Sequence, residues 1–277
     1  MTLHVHLNVR ENLPVNLRHV KSELFFESDS TKLAKQMVFL GNREVEFGEL
    51  FEVTKQPGTV EVVWHGDLSN VHHIGRRWHQ GTLIVEGAAG NHLGAAMSGG
   101  EIVAESDVGD YLGNQMQGGT IRIKGNTGDF TGSRLIGERI GMNGGTILIN
   151  GNAGKGVGAG MRRGLIVVRE DVHRGLGWNM LAGSLVVFGK CLTNAGFNMK
   201  RGTVVLAGHQ TFLSHGERAA NFKYSGTYRP PVLALISNQL KRLGYEFPEN
   251  LLAQNYHQFA GDLLAGGRGE VFCRCDG

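Results

Sequence analysis

One glycine returns every nineteen residues through the middle of the chain, and that register restricts the fold more than any other feature. Seven segments align on it: "RWHQGTLIVEGAAGNHLGA", "AMSGGEIVAESDVGDYLGN", "QMQGGTIRIKGNTGDFTGS", "GMNGGTILINGNAGKGVGA", "GMRRGLIVVREDVHRGLGW", "NMLAGSLVVFGKCLTNAGF" and "NMKRGTVVLAGHQTFLSHG". Their anchor glycines are Gly81, Gly100, Gly119, Gly145, Gly164, Gly183 and Gly202, spaced 19, 19, 26, 19, 19 and 19. The single longer step is 19 plus a seven-residue insertion near "RLIGERI". A fixed period of this length marks a stack of similar units, none of which can bury its apolar face alone.

Within each unit the period falls to two. The residues two and four after each anchor are apolar throughout: Leu83/Val85, Ile102/Ala104, Ile121/Ile123, Ile147/Ile149, Ile166/Val168, Leu185/Val187 and Val204/Leu206. Alternation with β-branched enrichment predicts a strand with one buried face. A G-x2-G-x3-G pattern follows, complete at Gly87/Gly90/Gly94, Gly125/Gly128/Gly132 and Gly151/Gly154/Gly158, and decaying in later units. A methionine column closes each unit, at Met97, Met116, Met142, Met161, Met180 and Met199, with Trp78 at its head. The predicted fold is all-β dominated: a right-handed β-helix (solenoid) of about seven 19-residue coils between small mixed N-terminal and C-terminal capping segments.

The register decides the reading of "GNAGKGVGAGMRRG" (151–164). Its glycines and Lys155 suggest a phosphate cradle. Yet Gly151, Gly154 and Gly158 stand where other units carry glycine with no lysine nearby. A P-loop needs Ser or Thr after the lysine and a helix beyond it, and here Gly156 and another strand follow. The stretch reads as coil turns. The same turns account for the 43 glycines in 277 residues, about twice the usual share of roughly 7%. A net charge of +3 is too small to indicate nucleic acid. Three cysteines, Cys191, Cys273 and Cys275, cannot all pair, and the start has no apolar core with a cleavage site, so a reduced cytoplasmic protein without signal peptide or membrane span is expected.

Three segments are expected. Residues 1–56, with a helix near "STKLAKQM", cap the first coil; 57–216 form the β-helix; 217–277 carry a short amphipathic helix, "PPVLALISNQLKRL", and a last strand, "GRGEVF". One stripe departs from a solvated outer face. The residues three after each anchor are Ile84, Val103, Arg122, Leu148, Val167, Val186 and Val205. Such a stripe predicts a partner surface, or a seat for the chain's own terminal segment.

No catalytic grouping stands out. His65, His72, His73, His79 and His92 cluster in sequence but lack ligand spacing, so they read as polar surface and not as a metal site. Cys273-x-Cys275 without a second pair is weak evidence for zinc. No metal is expected on this chain. The basic residues Arg76, Arg77, Arg122, Lys124, Arg134, Arg139, Arg162, Arg163, Lys200 and Arg201 recur beside anchors, so stacking should set them in rows. Such rows are either a solvated face or an anion-binding strip.

The glycine coils resemble the C-terminal domain of glutamate synthase. With "LGNREVEFGELFEV" (40–53), "GDLSNVHHIG" (66–75) and "GDLLAGGRGEVF" (261–272), the chain looks still more like the C subunit of formylmethanofuran dehydrogenase, most of all that of the bacterial formyltransferase/hydrolase complex. The resemblance covers most of the chain. It implies a component of a one-carbon (formaldehyde oxidation) complex whose chemistry sits on other subunits. That complex moves a formyl group from tetrahydromethanopterin to a methanofuran-type cofactor and hydrolyses it to formate. Because such cofactors carry γ-linked glutamates, Arg162, Arg163, Lys200 and Arg201 become the expected cofactor-binding residues. The C subunit of an archaeal tungsten or molybdenum formylmethanofuran dehydrogenase remains an alternative, as does a free-standing β-helix enzyme.

Overall fold

The computed structural model describes residues 2–8, 13–27, 29–193, 195–208 and 221–275. The chain opens with β1 (Thr2–Leu7), β2 (Val15–Asn16), a helical turn α1 (Thr31–Ala34), β3 (Met37–Leu40), β4 (Arg43–Glu46), a second turn α2 (Phe47–Leu50) and β5 (Phe51–Gln56). The repeat region supplies β6 (Glu61–His65), β7 (Val71–His72), β8 (Thr82–Val85), β9 (Glu101–Ala104), β10 (Thr120–Ile123), β11 (Asn143–Ile149), β12 (Arg163–Val168), β13 (Ser184–Val187) and β14 (Arg201–Leu206). The C-terminal part adds β15 (Lys223–Tyr228), helix α3 (Pro231–Arg242), the short α4 (Glu249–Leu252), β16 (Tyr256–Gly261) and β17 (Arg268–Arg274).

The protein is mostly β. Thirteen strands form one sheet in the order β15-β16-β17-β14-β13-β12-β11-β10-β9-β8-β6-β1-β5; β4-β3-β2-β7 form a smaller one. From β8 to β14 every strand pairs in parallel with the strand of the next unit, in register: Leu83 with Ile102, Ile121 with Ile147, Ile166 with Leu185. The return segments pair as well, through parallel bridges linking Leu68, Ala89, Val108, Thr127, Ala153, Val172 and Cys191. At a third corner each post-methionine amide donates to the unit before: Gln117 N to Met97 O, Arg162 N to Met142 O, Lys200 N to Met180 O. Each unit therefore satisfies its backbone through its neighbours on every side. The residues two and four after the anchors are all buried, as is the whole methionine column.

Close packing fixes the anchor glycines. At Gly119, where φ is +85°, an added Cβ would lie 2.6 Å from Met97 Cε and 2.7 Å from Gly100 O. The methionine of one unit fills the space that a side chain on the next anchor would need. The insertion leaves this ladder intact: Arg134 N and Gly141 N donate to Ala159 O and Gly160 O, closing the extra residues into a loop that carries the fully exposed Ile136.

The N-terminal segment packs Phe25, Phe47 and Phe51 around Trp64, with Phe25 reaching Trp78, at the first end of the stack. The expected helix near "STKLAKQM" (30–37) is a single turn, after which Met37 enters β3. The C-terminal helix lies elsewhere than at an end. Leu233, Ile236 and Leu240 of α3, with Tyr245, Phe247 and Leu251, pack on Leu148, Leu165, Val167, Val186 and Val205. This corrects the partner-surface reading of the outer stripe: from Leu148 onward the chain's own helix covers it. Arg122, the single charge in that column, marks the helix end. Its Nε donates to Glu101 at 2.6 Å, and its guanidinium donates to the Leu243 carbonyl at the C-cap. A cation there satisfies a helix-terminal carbonyl and complements the helix dipole.

Candidate functional site: a basic edge

The stack separates the basic residues into two groups. Arg122 and Lys124 pair with Glu101 and Glu105, and Arg76 donates to Arg18 O. Those three serve the fold. The others stand at the corner between the third glycine of a unit and the next anchor. Arg162 and Arg163 flank the start of β12, and Lys200 and Arg201 occupy the same steps at β14, all four exposed. Leu181 and Ala182 hold these steps in the unit between, so the two pairs stand roughly 10 Å apart at ~4.8 Å per strand. Among the described residues, none of the four has a side-chain hydrogen bond or ion pair. Arg201 also faces Arg268 in the β14–β17 register, which sequence reasoning missed because a long stretch of chain intervenes and the repeat is no longer visible there. Arg134 and Arg139 extend the same edge into the inserted loop, where Glu138 is the one carboxylate. Unbalanced like charge along one edge focuses a positive field and attracts polyanions.

The five histidines singled out in the sequence do not meet at one point. His65 Nδ1 bonds Glu86 at 2.6 Å and its Nε2 bonds His4 at 2.9 Å. His72 Nδ1 accepts from Asn91 N, and His79 meets Ser22. His73 stacks on His92, 4.4 Å between centroids and 3° between planes, and Tyr111 and Phe130 continue the stack. Burial, followed by the nearby His92 and arginines, pushes the His73 pKa down to about 3; burial also lowers His92 and His72. The His72, His73 and His92 rings are therefore held toward the neutral form and serve as struts. Among the described residues no group of three or more His, Cys, Asp or Glu side chains is placed to hold a metal ion.

Two further ladders were not read from the sequence. Asp107, Asn126, Asn152 and Asp171 each accept from the backbone amide one unit further on, at 2.7–3.1 Å. His72, Asn91, Asp110 and Asp129 do the same at a second step. Both were recoverable, since their members recur at the repeat spacing. Lys155 belongs here: its amide bonds Asp129, its Nζ pairs with the same carboxylate at 3.0 Å, and it lies 5.6 Å over the Phe130 ring. It faces a shallow groove of about 460 Å³ that also exposes His173 and Arg174. The lysine is engaged by its own chain, which fits the reading of 151–164 as turns.

No family model and no curated protein matches the chain. Among solved structures it is similar to one chain of the formyltransferase/hydrolase complex (FhcABCD) from Methylorubrum extorquens in complex with methylofuran, at 29% identity and a TM-score of 0.84, over 99% of this chain and 100% of that one. Along its whole length, then, the chain is similar to a subunit of that formyltransferase/hydrolase complex, the group that its coil glycines and flanking stretches resemble.

Proposed function

We propose that this chain is the non-catalytic scaffold of a formyltransferase/hydrolase complex, equivalent to its C subunit, and that its basic edge holds the acidic tail of a methanofuran-type cofactor. The stacked units are read as a right-handed β-helix, the hand that parallel strand connections adopt. Residues 1–56 cap it, 57–216 form the coils, and 217–277 are a C-terminal segment with a short helix and a final strand; the boundary at 216/217 and the end of the seventh coil (209–216) lie outside the described residues. The basic edge carries the reading. Among the described residues, Arg162, Arg163, Lys200 and Arg201 have no acidic partner, and the similar complex contains methylofuran.

The residues suit such a group: exposed guanidinium and ammonium donors pair with carboxylates, arginine in bidentate fashion. Each exposed pair contributes only about 0.2–1 kcal/mol, so several together retain a tail while leaving it exchangeable. A tethered cofactor reaches active sites on other subunits at high effective concentration. Chemistry then belongs to those partners. The full-length likeness to a bacterial formyltransferase/hydrolase complex favours this over the archaeal dehydrogenase reading.

The test replaces the four residues by Gln in the assembled complex and measures bound cofactor against salt. Loss of cofactor at moderate salt with assembly intact supports the tether, and full retention at high salt refutes it. Formyl transfer by the purified chain alone would favour the free-standing enzyme instead.

A further inference from the structure

The leucines of the stretch "GDLLAGGRGEVF" are not accounted for by the holding of an acidic tail. In the structure the stretch is a tight projecting tip between β16 and β17. Gly261 pairs with Gly269, and Gly267 N donates to Asp262 O. Asp262, 2% exposed, clamps the tip: Oδ1 accepts from Leu264 N at 2.9 Å and Oδ2 from Asn198 N at 3.0 Å. The buried carboxylate thus serves the backbone, while two leucines point out. Leu264 is 83% exposed, Leu263 49%, and Phe197, one residue from Asn198, 43%. Scattered exposed leucines are ordinary. Two adjacent exposed leucines on a hydrogen-bonded mount, with a third exposed apolar residue next in sequence to the amide that clamps it, are not, because a pre-organised apolar tip loses little entropy on docking. Arg268 stands at the base of the tip, with Arg201 its register partner and Lys200 beside it.

We infer that this tip is a docking site for another protein subunit, one that presents an apolar pocket rimmed by carboxylates. The inference rests on the reading of this chain as one member of a complex. The apolar centre calls for a pocket, which an acidic cofactor tail cannot supply. Among the described residues Arg268 at its base lacks an acidic partner, and carboxylates on the facing rim would match it and steer association. The similar structure is itself an assembly of several subunits.

The experiment co-expresses this chain with the other subunits of the complex from its own organism and measures assembly of wild type, Leu263→Glu/Leu264→Glu and the milder Leu264→Ser. Leu235→Glu, on the exposed side of α3 and 69% exposed, is the control. The double variant should melt like wild type alone yet bind partner at least about 30-fold more weakly, with Leu264→Ser intermediate and the control unchanged. Arg268→Gln should slow association and flatten its salt dependence. Unchanged affinity of the double variant overturns this inference and leaves the scaffold reading standing. A wild-type chain that captures none of the subunits overturns both. A clear loss of melting temperature in the isolated double variant also overturns it, since the tip would then be covered by the chain itself. So does a wild-type homodimer that the double variant dissolves.

Discussion

Replacing Leu240 by Ala probes whether α3 holds the outer face of the sheet. Leu240 is fully buried, at the end of a Leu233–Ile236–Leu240 face spaced for one side of a helix. Truncation removes three carbons, about 0.8 kcal/mol each in transfer. A cavity term raises the cost into the range of about 2–5 kcal/mol seen for buried Leu→Ala. Relaxation is limited on both sides: the sheet below is tied by its parallel ladder, and Arg122 holds the Leu243 carbonyl at the helix end. A loss of about 3 kcal/mol is expected, a large part of a total stability of roughly 5–15 kcal/mol. Trp64, Trp78 and Trp178 all lie in or before the repeats, so their fluorescence follows the coils, and amide exchange over 231–252 follows the helix. Exchange there should accelerate on the order of 100-fold, with the urea midpoint lowered. Leu235→Ala on the exposed side should change stability by no more than ~0.5 kcal/mol. If Leu240→Ala leaves both the midpoint and the exchange of 231–252 unchanged, α3 is not what seals this face.

Other expectations follow from single contacts. Arg122→Met should cost about 1–3 kcal/mol by leaving Glu101 and the Leu243 carbonyl without their donor, and a double-mutant cycle with Glu101→Gln should show coupling in urea melts. Gly119→Ala should lower the melting temperature by more than a positive φ alone explains, about 1 kcal/mol, because its Cβ meets Gly100 O as well as Met97. Pairing it with Met97→Ala should recover only the part due to the side chain. Ile149→Asp should abolish soluble expression, since it places a charge at a fully buried step. His73 sets an acid limit. The unfolded ring accepts a proton near 6.5 while the folded ring resists until about 3, so stability is full above pH 6.5 and falls as pH drops through that window. His73→Asn should flatten the fall in melting temperature between pH 7 and 4, and an unchanged slope would assign it to other groups.

The coil register was legible because one physical requirement recurs at one step. Glycine at each anchor is demanded by the preceding unit's backbone and methionine, and aliphatic residues two and four later by the buried face on which they stack. The aromatic stack is equally periodic, but His73, His92, Tyr111 and Phe130 differ in type. What repeats there is ring shape, which a search for identical residues passes over. The place of α3 was half legible. Its amphipathic spacing was plain, and so was the apolar outer stripe, yet nothing in one sequence states that the two cover each other. Arg122 was the available clue: a cation interrupting an apolar column implies a specific acceptor, here a helix C-cap.

The same reasoning separates cations that the fold explains from those it does not. Arg122 and Lys124 sit where partners await them, so their identity says little about ligands. Arg162, Arg163, Lys200 and Arg201 occupy steps that earlier units fill with Ser98, Gln117 and glycines, and that the intervening unit fills with Leu181 and Ala182. The stack therefore accepts small, neutral or apolar residues at these steps and has no need of charge. Placing cations two units apart, without carboxylates among the described residues to balance them, raises local repulsion. A fold gains nothing from that arrangement, whereas a polyanion lying along the edge relieves it. The test of that edge and the test of the Leu263–Leu264 tip use different residues and different readouts. Loss of cofactor with intact assembly isolates the first, and loss of assembly with unchanged melting isolates the second.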